Sequence, residues 1–316
     1  MKNEIKKIIK NEVKASIKNI ILAKEQKRLV VFVGAGVSLN SGIPNWGQLI
    51  AKLKEQISLS DEGTDHLKIA QLFYNLRGRK EYYDFIQKTL LHKKAAHNPI
   101  NEAILALNPQ HIITTNYDDL FEQLIKRNNL QYDLIRQDSD LPKSMLSTNL
   151  IKMHGCFETQ NIVLTEDDYL KYSENFPLIE SYVKSLFASR LVLFVGFSFS
   201  DINLKYILQR VDSVLGENKQ PSYIYIHDES NDLERDYLRN KKIFPIYFDE
   251  VKEYLDEKNV ESNSNLNEIG NKLFRFLKII EKPTFREEEI QELSIANQIR
   301  ESLKPFKGFQ IGRAHV

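Results

Sequence analysis

The amino-acid sequence predicts an α/β fold, a doubly wound and mostly parallel sheet with a smaller helical lobe. Short runs of β-branched and aromatic residues recur along the chain, and helical stretches separate them. Each run is apolar at nearly every position, which is typical of a strand covered on both faces by helices. The alternation of such strands with helices favours a parallel sheet, whose ligands bind beyond the carboxyl ends of the strands.

Seven segments are predicted to be the strands of this sheet. The four clearest are LVVFV (29–33), HIITT (111–115), LVLFV (191–195) and SYIYI (222–226). Three further segments are expected to be strands, namely NLIKMHG (149–155), NIVLT (161–165) and IFPIYF (243–248). Turn signals bound each of the four clear runs, and their length suits a buried strand.

Helices are predicted for the intervals between the strands. Residues 4–21 carry aliphatic residues at helical spacing with lysines opposite: Ile5, Ile8, Ile9, Val13, Ile17, Ile20 and Ile21. This amphipathic helix would pack on the domain's own surface or form an oligomer contact, and it lacks the bulky aromatics of membrane-surface helices. Residues 50–107 should form the helical lobe over one edge of the sheet. Within them, Asn98 and Pro99 mark a helix start.

The predicted organisation has three parts. An N-terminal helix occupies residues 1–27, the α/β domain with its helical lobe residues 28–280, and a charged connector residues 281–316. The last six residues, IGRAHV (311–316), read like a translated sequencing adapter. We therefore expect the natural protein to continue into a further C-terminal region.

Composition limits the partners that this chain can have. Lys+Arg 44 against Asp+Glu 43 leave a net charge of +1, so no global field draws the chain to nucleic acid or an acidic membrane. The apolar runs are far shorter than the roughly 20 residues of a membrane span. One cysteine, Cys156, excludes an internal disulfide and a four-cysteine zinc module. We expect a cytoplasmic protein with no metal, no membrane association and no nucleic-acid partner.

A glycine-containing loop follows the first strand. It contains Gly34, Ala35, Gly36 and Ser38, and glycines allow backbone amides to approach a diphosphate. Leu39 stands where the dinucleotide fingerprint has its third glycine, and the acidic residue expected about 20 positions further on is missing. This pattern argues against a nicotinamide dehydrogenase. A tight strand-to-helix turn explains the same glycines without a ligand.

Polar side chains also follow the second strand. Asn116 is the better candidate for ligand contact, because an amide can orient a water or a sugar hydroxyl without carrying charge. Asp119 is expected instead to cap the helix that begins next. Both residues would lie at the crevice edge of the sheet.

Two more strand ends complete the set of candidates. His154 follows the strand that begins at residue 149, and histidine suits general-base work near neutral pH, although a lone histidine is more often structural. Gly196, Ser198 and Asp201 follow the strand at 191–195. They would form either the second half of a dinucleotide cradle or only a helix-capping motif.

Taken together, GAGVSLNSGIP, TTNYD, KMHG and VGFSFSD resemble the sirtuin superfamily over about residues 28–250. The stretches look most like the sirtuin-like domains of bacterial anti-phage defence proteins. This resemblance implies a Rossmann-like fold that binds NAD+ as its substrate. It also implies attack at the ribose carbon that bears nicotinamide.

The resemblance further implies a role for each matching residue. His154 would be the general base, and Asn116 with Asp118 would line the nicotinamide-ribose pocket. Seven residues at two other strand ends would hold the diphosphate, ribose and adenosine of NAD+: Gly34, Ala35, Gly36, Ser38, Gly196, Ser198 and Asp201.

Departures from the family pattern narrow the expected chemistry. Deacylating sirtuins have a zinc ribbon and an Asp-Phe-Arg after Gly-Ile-Pro, whereas this sequence has one cysteine and continues Asn45-Trp46-Gly47. Water is then the expected acceptor, and the prediction is NAD+ hydrolysis in anti-phage abortive infection. Two alternatives stay open, a non-catalytic sensor of NAD or ADP-ribose and an ADP-ribosyl or acyl transferase.

We expect such an activity to be gated, because an unregulated NADase would kill its host. The N-terminal helix, the helical lobe and the region beyond the C-terminus are candidates for the gate. The expected partners are further copies of the chain in a homo-oligomer, and an activating ligand or phage-derived trigger.

Overall fold

The computed structural model of the chain describes residues 2–59, 65–90, 95–257 and 260–281. The predicted connector, apart from Glu281, and the adapter-like end lie outside these residues. The side chains of Ile5, Ile8 and Ile9 are outside the description as well. The residues up to Glu281 form one compact unit.

Seven parallel strands form the central sheet. They are β1 (Leu29–Val33), β2 (His111–Thr114), β3 (Asp133–Ile135), β4 (Asn149–Lys152), β5 (Leu191–Val195), β6 (Ser222–Ile226) and β7 (Ile243–Tyr247). Their spatial order is β3-β4-β2-β1-β5-β6-β7, and every pairing is parallel. In the central register Val31 lies between Ile112 and Leu193. The predicted doubly wound, Rossmann-like fold is confirmed.

Twelve α-helices accompany the sheet in the described part of the chain. They are α1 (Lys2–Glu25), α2 (Trp46–Gln56), α3 (His66–Leu90), α4 (Pro99–Ala106), α5 (Leu120–Arg127), α6 (Glu166–Leu170), α7 (Tyr172–Asn175), α8 (Pro177–Ser189), α9 (Ile202–Leu215), α10 (Asp232–Arg239), α11 (Phe248–Glu257) and α12 (Glu268–Glu281). Short 3₁₀ helices span Ala35–Ser41, Asp138–Lys143 and Gly216–Asn218. No described helix has both the length and the apolar character needed to cross a membrane.

The largest described hydrophobic cluster lies between the sheet and helices α8 and α9. Alternate residues of β1, such as Phe32, join it, and the Phe32 ring lies 5.1 Å from the Phe194 ring of β5. From the helices, Val183 and Ile207 belong to the same cluster and are fully buried. Both central strands are buried at all positions, as expected for strands covered by helices on each face.

Helix α1 packs on its own domain. Its residues Val13, Ile17 and Ile20 are buried, and the helix contacts β1, β5 and β7. At its end, the Lys24 ammonium donates to the carbonyls of Ile280 (2.9 Å) and Glu281 (3.0 Å) in the last turn of α12. The apolar face was predicted either to pack on the domain's own surface or to form an oligomer contact. In the part of the helix whose side chains are described, it packs on the domain.

The helical lobe is built by α2 and α3. These helices pack around a separate hydrophobic cluster that includes Leu53, Ile69 and Phe73. Helix α4 was predicted to belong to the same lobe (50–107), but it packs against α12 and α5 instead. The Asn98 cap of α4 is confirmed, since its side chain accepts a hydrogen bond from the Ile100 amide (2.9 Å).

The predicted strand at 161–165 is wrong. Its middle residues are buried, which explains the apolar run, but the segment pairs with none of the strands that the structure describes. The amides of Leu164 and Thr165 donate to one carboxylate oxygen of Asp168, at 3.1 and 2.9 Å. The Thr165 hydroxyl in turn accepts from the Asp168 amide and caps α6. Backbone donors that serve a helix cap are not available to a sheet.

Candidate active site

The carboxyl ends of β1, β2, β4, β5 and β6 surround one cleft of about 980 Å³. This cleft lies between β1 and β5. Strands β2 to β4 lie on one side of β1 and strands β5 to β7 on the other, and such a topological switch point is the usual ligand position in these folds. The predicted site residues that line it are Ala35, Gly36, Ser38, Asn116, Asp118, His154, Gly196, Ser198 and Asp201. Gly34 lies behind this wall, against the loop after β5.

The glycines after β1 and β5 pack against each other. The Gly34 amide donates to the Val195 carbonyl (3.0 Å), and the Gly36 amide donates to the Gly196 carbonyl (2.9 Å). A Cβ atom at Gly34 would lie 2.4 Å from the Gly196 oxygen, and Gly196 itself has a φ of 61°. Close approach of the two loops therefore explains these glycines. The amides of Gly34 and Gly36 already have hydrogen-bond partners within the protein. Their predicted contact with a diphosphate stays a prediction.

A buried hydrogen-bond network orients Asn116. Its Nδ2 donates to the Gly34 carbonyl and to the Ser38 hydroxyl, both at 3.1 Å, and that hydroxyl donates to Asp118 Oδ2 at 2.8 Å. The Gly34 carbonyl and the Asp118 carboxylate only accept, so every donor direction is fixed. Asn116 Oδ1 has no partner within the described residues. This oxygen can accept a hydrogen bond from a hydroxyl or a water in the cleft.

Lys152, at the end of β4, holds the loop after β2. Its ammonium is buried and donates to the Asp118 carbonyl and to Glu122 Oε1 (2.9 Å). Burial alone would lower the pKa of Lys152, but the Glu122 and Asp118 carboxylates outweigh burial and raise it. The loop that carries Asn116 is thereby fixed to the strand that carries His154. Sequence reasoning gave no role to this lysine.

The predicted cap at Asp119 is wrong. Its side chain makes no hydrogen bond to the first amides of α5, and Asp119 Oδ1 accepts instead from Gln123 Nε2 (2.8 Å). The neighbouring Asp118 Oδ1 lies 3.4 Å from the Leu120 amide and approaches that helix start. Asp119 therefore differs from the role expected of it. Asp118 belongs to the network of Asn116 and lines the cleft, and its predicted contact with the nicotinamide ribose stays a prediction.

His154 lies at the floor of the cleft with only 2% of its surface exposed. The Tyr169 and Tyr172 rings flank the imidazole edge-on, with centroids at 5.3 and 5.8 Å. Burial lowers the pKa of His154, and the Asp201 and Asp168 carboxylates oppose that effect only in part. The imidazole is therefore neutral at pH 7, the state that a general base requires.

Asp201 uses both carboxylate oxygens inside the protein. Oδ1 accepts from the Leu204 amide (2.7 Å), which confirms the predicted cap of α9. Oδ2 accepts from the Tyr169 hydroxyl (2.9 Å) and lies 3.5 Å from His154 Nε2. Ser198 and Ser200, nearer the cleft mouth, lie 2.9 Å apart through their hydroxyl oxygens.

Several residues of the cleft wall were not predicted. They include Trp46, His66, Tyr169, Tyr225 and His227. His227 directly follows β6, so its position after a strand was a usable signal. Trp46 and His66, whose rings lie 6.5 Å apart, come from the helical lobe, and only the fold brings them to the cleft.

The metal-ligating residue types do not cluster here. Among the described residues no group of three or more His, Cys, Asp or Glu side chains could hold a metal ion. His97 lies beside Arg127 and Glu102, away from the cleft lining. His111 is buried at the start of β2, at the other end of the sheet.

The parallel sheet, with a cleft at its switch point that contains a neutral buried histidine and an oriented amide, defines a Rossmann-like α/β domain with a candidate active site. Residues 110–246 match the SIR2-like domain family. These residues therefore carry a SIR2-like domain, and the sirtuin-like resemblance is confirmed.

The chain is also similar to proteins whose names state a function. The chain is 34% identical to defense-associated sirtuin 2 of Bacillus subtilis over 226 residues, which cover 68% of this chain and 22% of that protein. It is 32% identical to the NAD(+) hydrolase ThsA of Bacillus cereus (strain MSX-D12) over 240 residues, or 69% of this chain and 48% of the hydrolase. A ThsA of Acinetobacter baumannii (strain 532279) is 30% identical over 72% of this chain and 49% of its own length. The chain thus spans less than half the length of each of these relatives.

Proposed function

We propose that the chain is the catalytic part of an NAD+ hydrolase that releases nicotinamide and ADP-ribose in anti-phage defence. The observation that carries the proposal is that a neutral buried histidine and an oriented amide face one cleft from neighbouring strands, β4 and β2. Relatives named NAD(+) hydrolase support it across about two-thirds of the chain. Gating, oligomerisation and an activating ligand or trigger stay predictions.

In the proposed reaction, a water oxygen bonds to the ribose carbon that carries nicotinamide. The glycosidic C–N bond breaks, nicotinamide leaves with the bonding electrons, and the proton of the water passes to His154. The products are nicotinamide, ADP-ribose and one proton. Because the breaking bond gives the ribose carbocation character, a neutral imidazole suits this site better than a charged one.

Asn116 would orient the water or a ribose hydroxyl through Oδ1. Its amide nitrogen is held by Gly34 and Ser38, so the acceptor oxygen keeps its direction without reorganisation. Fixing a reacting water at one position supplies part of the rate enhancement by lowering the entropy cost of the reaction. The closed network to Asp118 and Lys152 stabilises this arrangement.

Substitution of His154 or of Asn116 tests the proposed reaction directly. His154→Ala and Asn116→Ala should each lower nicotinamide release by about 10²-fold or more, because one removes the base and the other the water acceptor. The measurement is nicotinamide release from NAD+ by the purified chain, with NAD+ binding measured in parallel by calorimetry. His97→Ala is the matched control, since His97 lies outside the cleft lining, and it should retain full activity.

Three outcomes discriminate between the functions. Free ADP-ribose from the parent chain, lost in both variants, supports hydrolysis. Unchanged NAD+ despite measurable binding favours the sensor alternative, and transfer of label to protein or nucleic acid favours a transferase. Retention of activity in His154→Ala would contradict the proposed base.

A further inference from the structure

We propose that Asp201 is a positioning residue for His154, which orients the imidazole and fixes which ring nitrogen carries the proton, rather than a contact for NAD+. The inference rests on the proposed hydrolase function for its catalytic consequence. Its structural content, the coupling of one carboxylate to one imidazole, stands independently of turnover.

Both carboxylate oxygens of Asp201 are already engaged by groups inside the protein. Oδ1 accepts from the Leu204 amide, and Oδ2 faces both the Tyr169 hydroxyl and His154 Nε2. The side chain is 8% exposed although it belongs to the cleft wall. The carboxylate therefore points into the protein, toward the imidazole. Sequence reasoning counted Asp201 among the NAD-binding residues, and this geometry favours a different role.

The two ring nitrogens of His154 have different surroundings. Nε2 is enclosed and has no hydrogen-bond partner of good geometry, but Asp201 Oδ2 is the acceptor 3.5 Å from it. Nδ1 has no partner among the residues that the structure describes. In catalytic sites such bonds are often long before substrate binds and shorten in the reacting complex. A proton on Nε2 leaves Nδ1 as the lone-pair nitrogen that can act as the base.

The hydrogen-bond partners of Asp201 also fix the position of its carboxylate. The cap joins it to α9, and the Tyr169 hydroxyl joins it to the segment after β4 that also carries His154. The carboxylate is thus held from two elements while it faces the imidazole. A histidine whose second nitrogen is held by a carboxylate keeps one tautomer and one ring orientation.

Few other titratable groups face the imidazole. Tyr169 and Tyr172 flank its ring, and burial raises the pKa of both hydroxyls well above the usual value, so both are neutral. Asp168, in α6, contributes a second and weaker negative potential. Asp201 is therefore the larger of the two anionic influences on His154.

Asp201→Asn tests the role with little structural change, because asparagine is also a good helix cap. Its amide nitrogen would face Nε2 and donate to it, which moves the ring proton to Nδ1 and blocks the base. We expect kcat to fall by about 10²–10⁴-fold with KM changed less than about threefold. The acid limb of the kcat/KM profile should move to lower pH, since the carboxylate that raises the pKa of His154 is lost.

Tyr169→Phe should shift the pKa of His154 in the opposite direction. Without the hydroxyl donor, the Asp201 carboxylate interacts more strongly with Nε2, so the pKa of His154 and the acid limb should both rise. The matched control is Asp138→Asn. Asp138 accepts from the Leu178 and Ile179 amides at the start of α8 and is not one of the carboxylates that shift the pKa of His154, so this variant should move neither.

Titration of the His154 ring by NMR separates this inference from the proposed function, because it requires no turnover. The ring signal is identified by its loss in His154→Ala among the seven histidines. A lower pKa in Asp201→Asn and a higher one in Tyr169→Phe support the coupling even if the parent chain cleaves no NAD+. Equal titration in all three chains, or turnover and pH profile unchanged in Asp201→Asn, would overturn it.

Discussion

Single glycines determine how closely two loops of the site approach. At Gly34 the obstacle to a side chain is backbone, the Gly196 carbonyl and the Phe197 Cα, and neither can move without shifting β5. Gly47, at the start of α2, has only the Asn45 side chain at 3.6 Å, which is ordinary contact. The two glycines therefore make a matched pair for testing close approach.

Gly34→Ala should lower the free energy of unfolding by about 1–3 kcal/mol, because the added methyl group forces the loops after β1 and β5 apart. Since Asn116 is held by the Gly34 carbonyl, NAD+ turnover should fall as well. Gly47→Ala should be neutral or slightly stabilising in a helix. Urea denaturation of both variants provides the measurement, and equal stability of the two would contradict the packing argument.

The site residues show what a sequence can predict at this scale. Asn116 and His154 were found because each follows an apolar strand, and strand ends converge in a parallel sheet. The contacts of Asp201 with Tyr169 and His154 were not found. They join segments that are distant along the chain, and the local pattern around Asp201 is fully explained by its cap.

At the level of elements, α1 has the clearest energetic role. Ile20 is fully buried against the sheet, although the helix lies outside the strand-helix alternation of the domain. Truncating such a side chain costs the transfer free energy of its methyl and methylene groups and leaves a cavity. The helix is then part of the folded unit rather than an appendage to it.

Ile20→Ala should lower the free energy of unfolding by about 2–5 kcal/mol. Val214→Ala on α9, where the side chain is 82% exposed, should change it by less than about 0.5 kcal/mol and serves as the control. Thermal or urea unfolding measures both. A cost at Ile20 no larger than at Val214 would mean that α1 detaches from the sheet in solution.

The prediction of strands failed where a buried segment is unpaired and where a paired strand is only partly buried. Residues 161–165 are apolar and buried like a strand, yet their amides serve the Asp168 cap. Conversely, β3 has three residues, begins with the half-buried Asp133 and offers no apolar run. The hydrophobic pattern of a segment indicates its burial. Whether the segment is a strand depends on whether its backbone N–H and C=O groups bond to a neighbouring strand.

For the whole molecule, stability should depend on pH through a buried histidine at the base of the sheet. Burial, together with the Arg190 charge, lowers the pKa of His111 from 6.5 to about 4. The unfolded chain then binds a proton at higher pH than the folded chain does. The contribution of neutral His111 is fully present above pH 6.5 and is lost as the pH falls toward 4.

The difference corresponds to about 3 kcal/mol of unfolding free energy between pH 7 and pH 4. His111→Gln should lack this part of the pH dependence, while the remaining acid sensitivity, including that of His154, persists. Denaturation curves at several pH values for both chains measure it. Parallel stability profiles for the two proteins would show that His111 protonates normally in the folded state.

The order of the strands also has a consequence for synthesis. Strand β1 ends at Val33, but its neighbour β5 begins only at Leu191. The cleft is lined by the loops that follow these two strands and also by residues of α12. A ribosome adding roughly 5–20 residues per second separates these two strands by on the order of ten seconds. Throughout that interval a nascent chain has the first glycine loop but not the second. The cleft therefore cannot assemble until a nearly complete domain has been synthesised, and a truncated translation product carrying β1 to β4 would lack one wall of it.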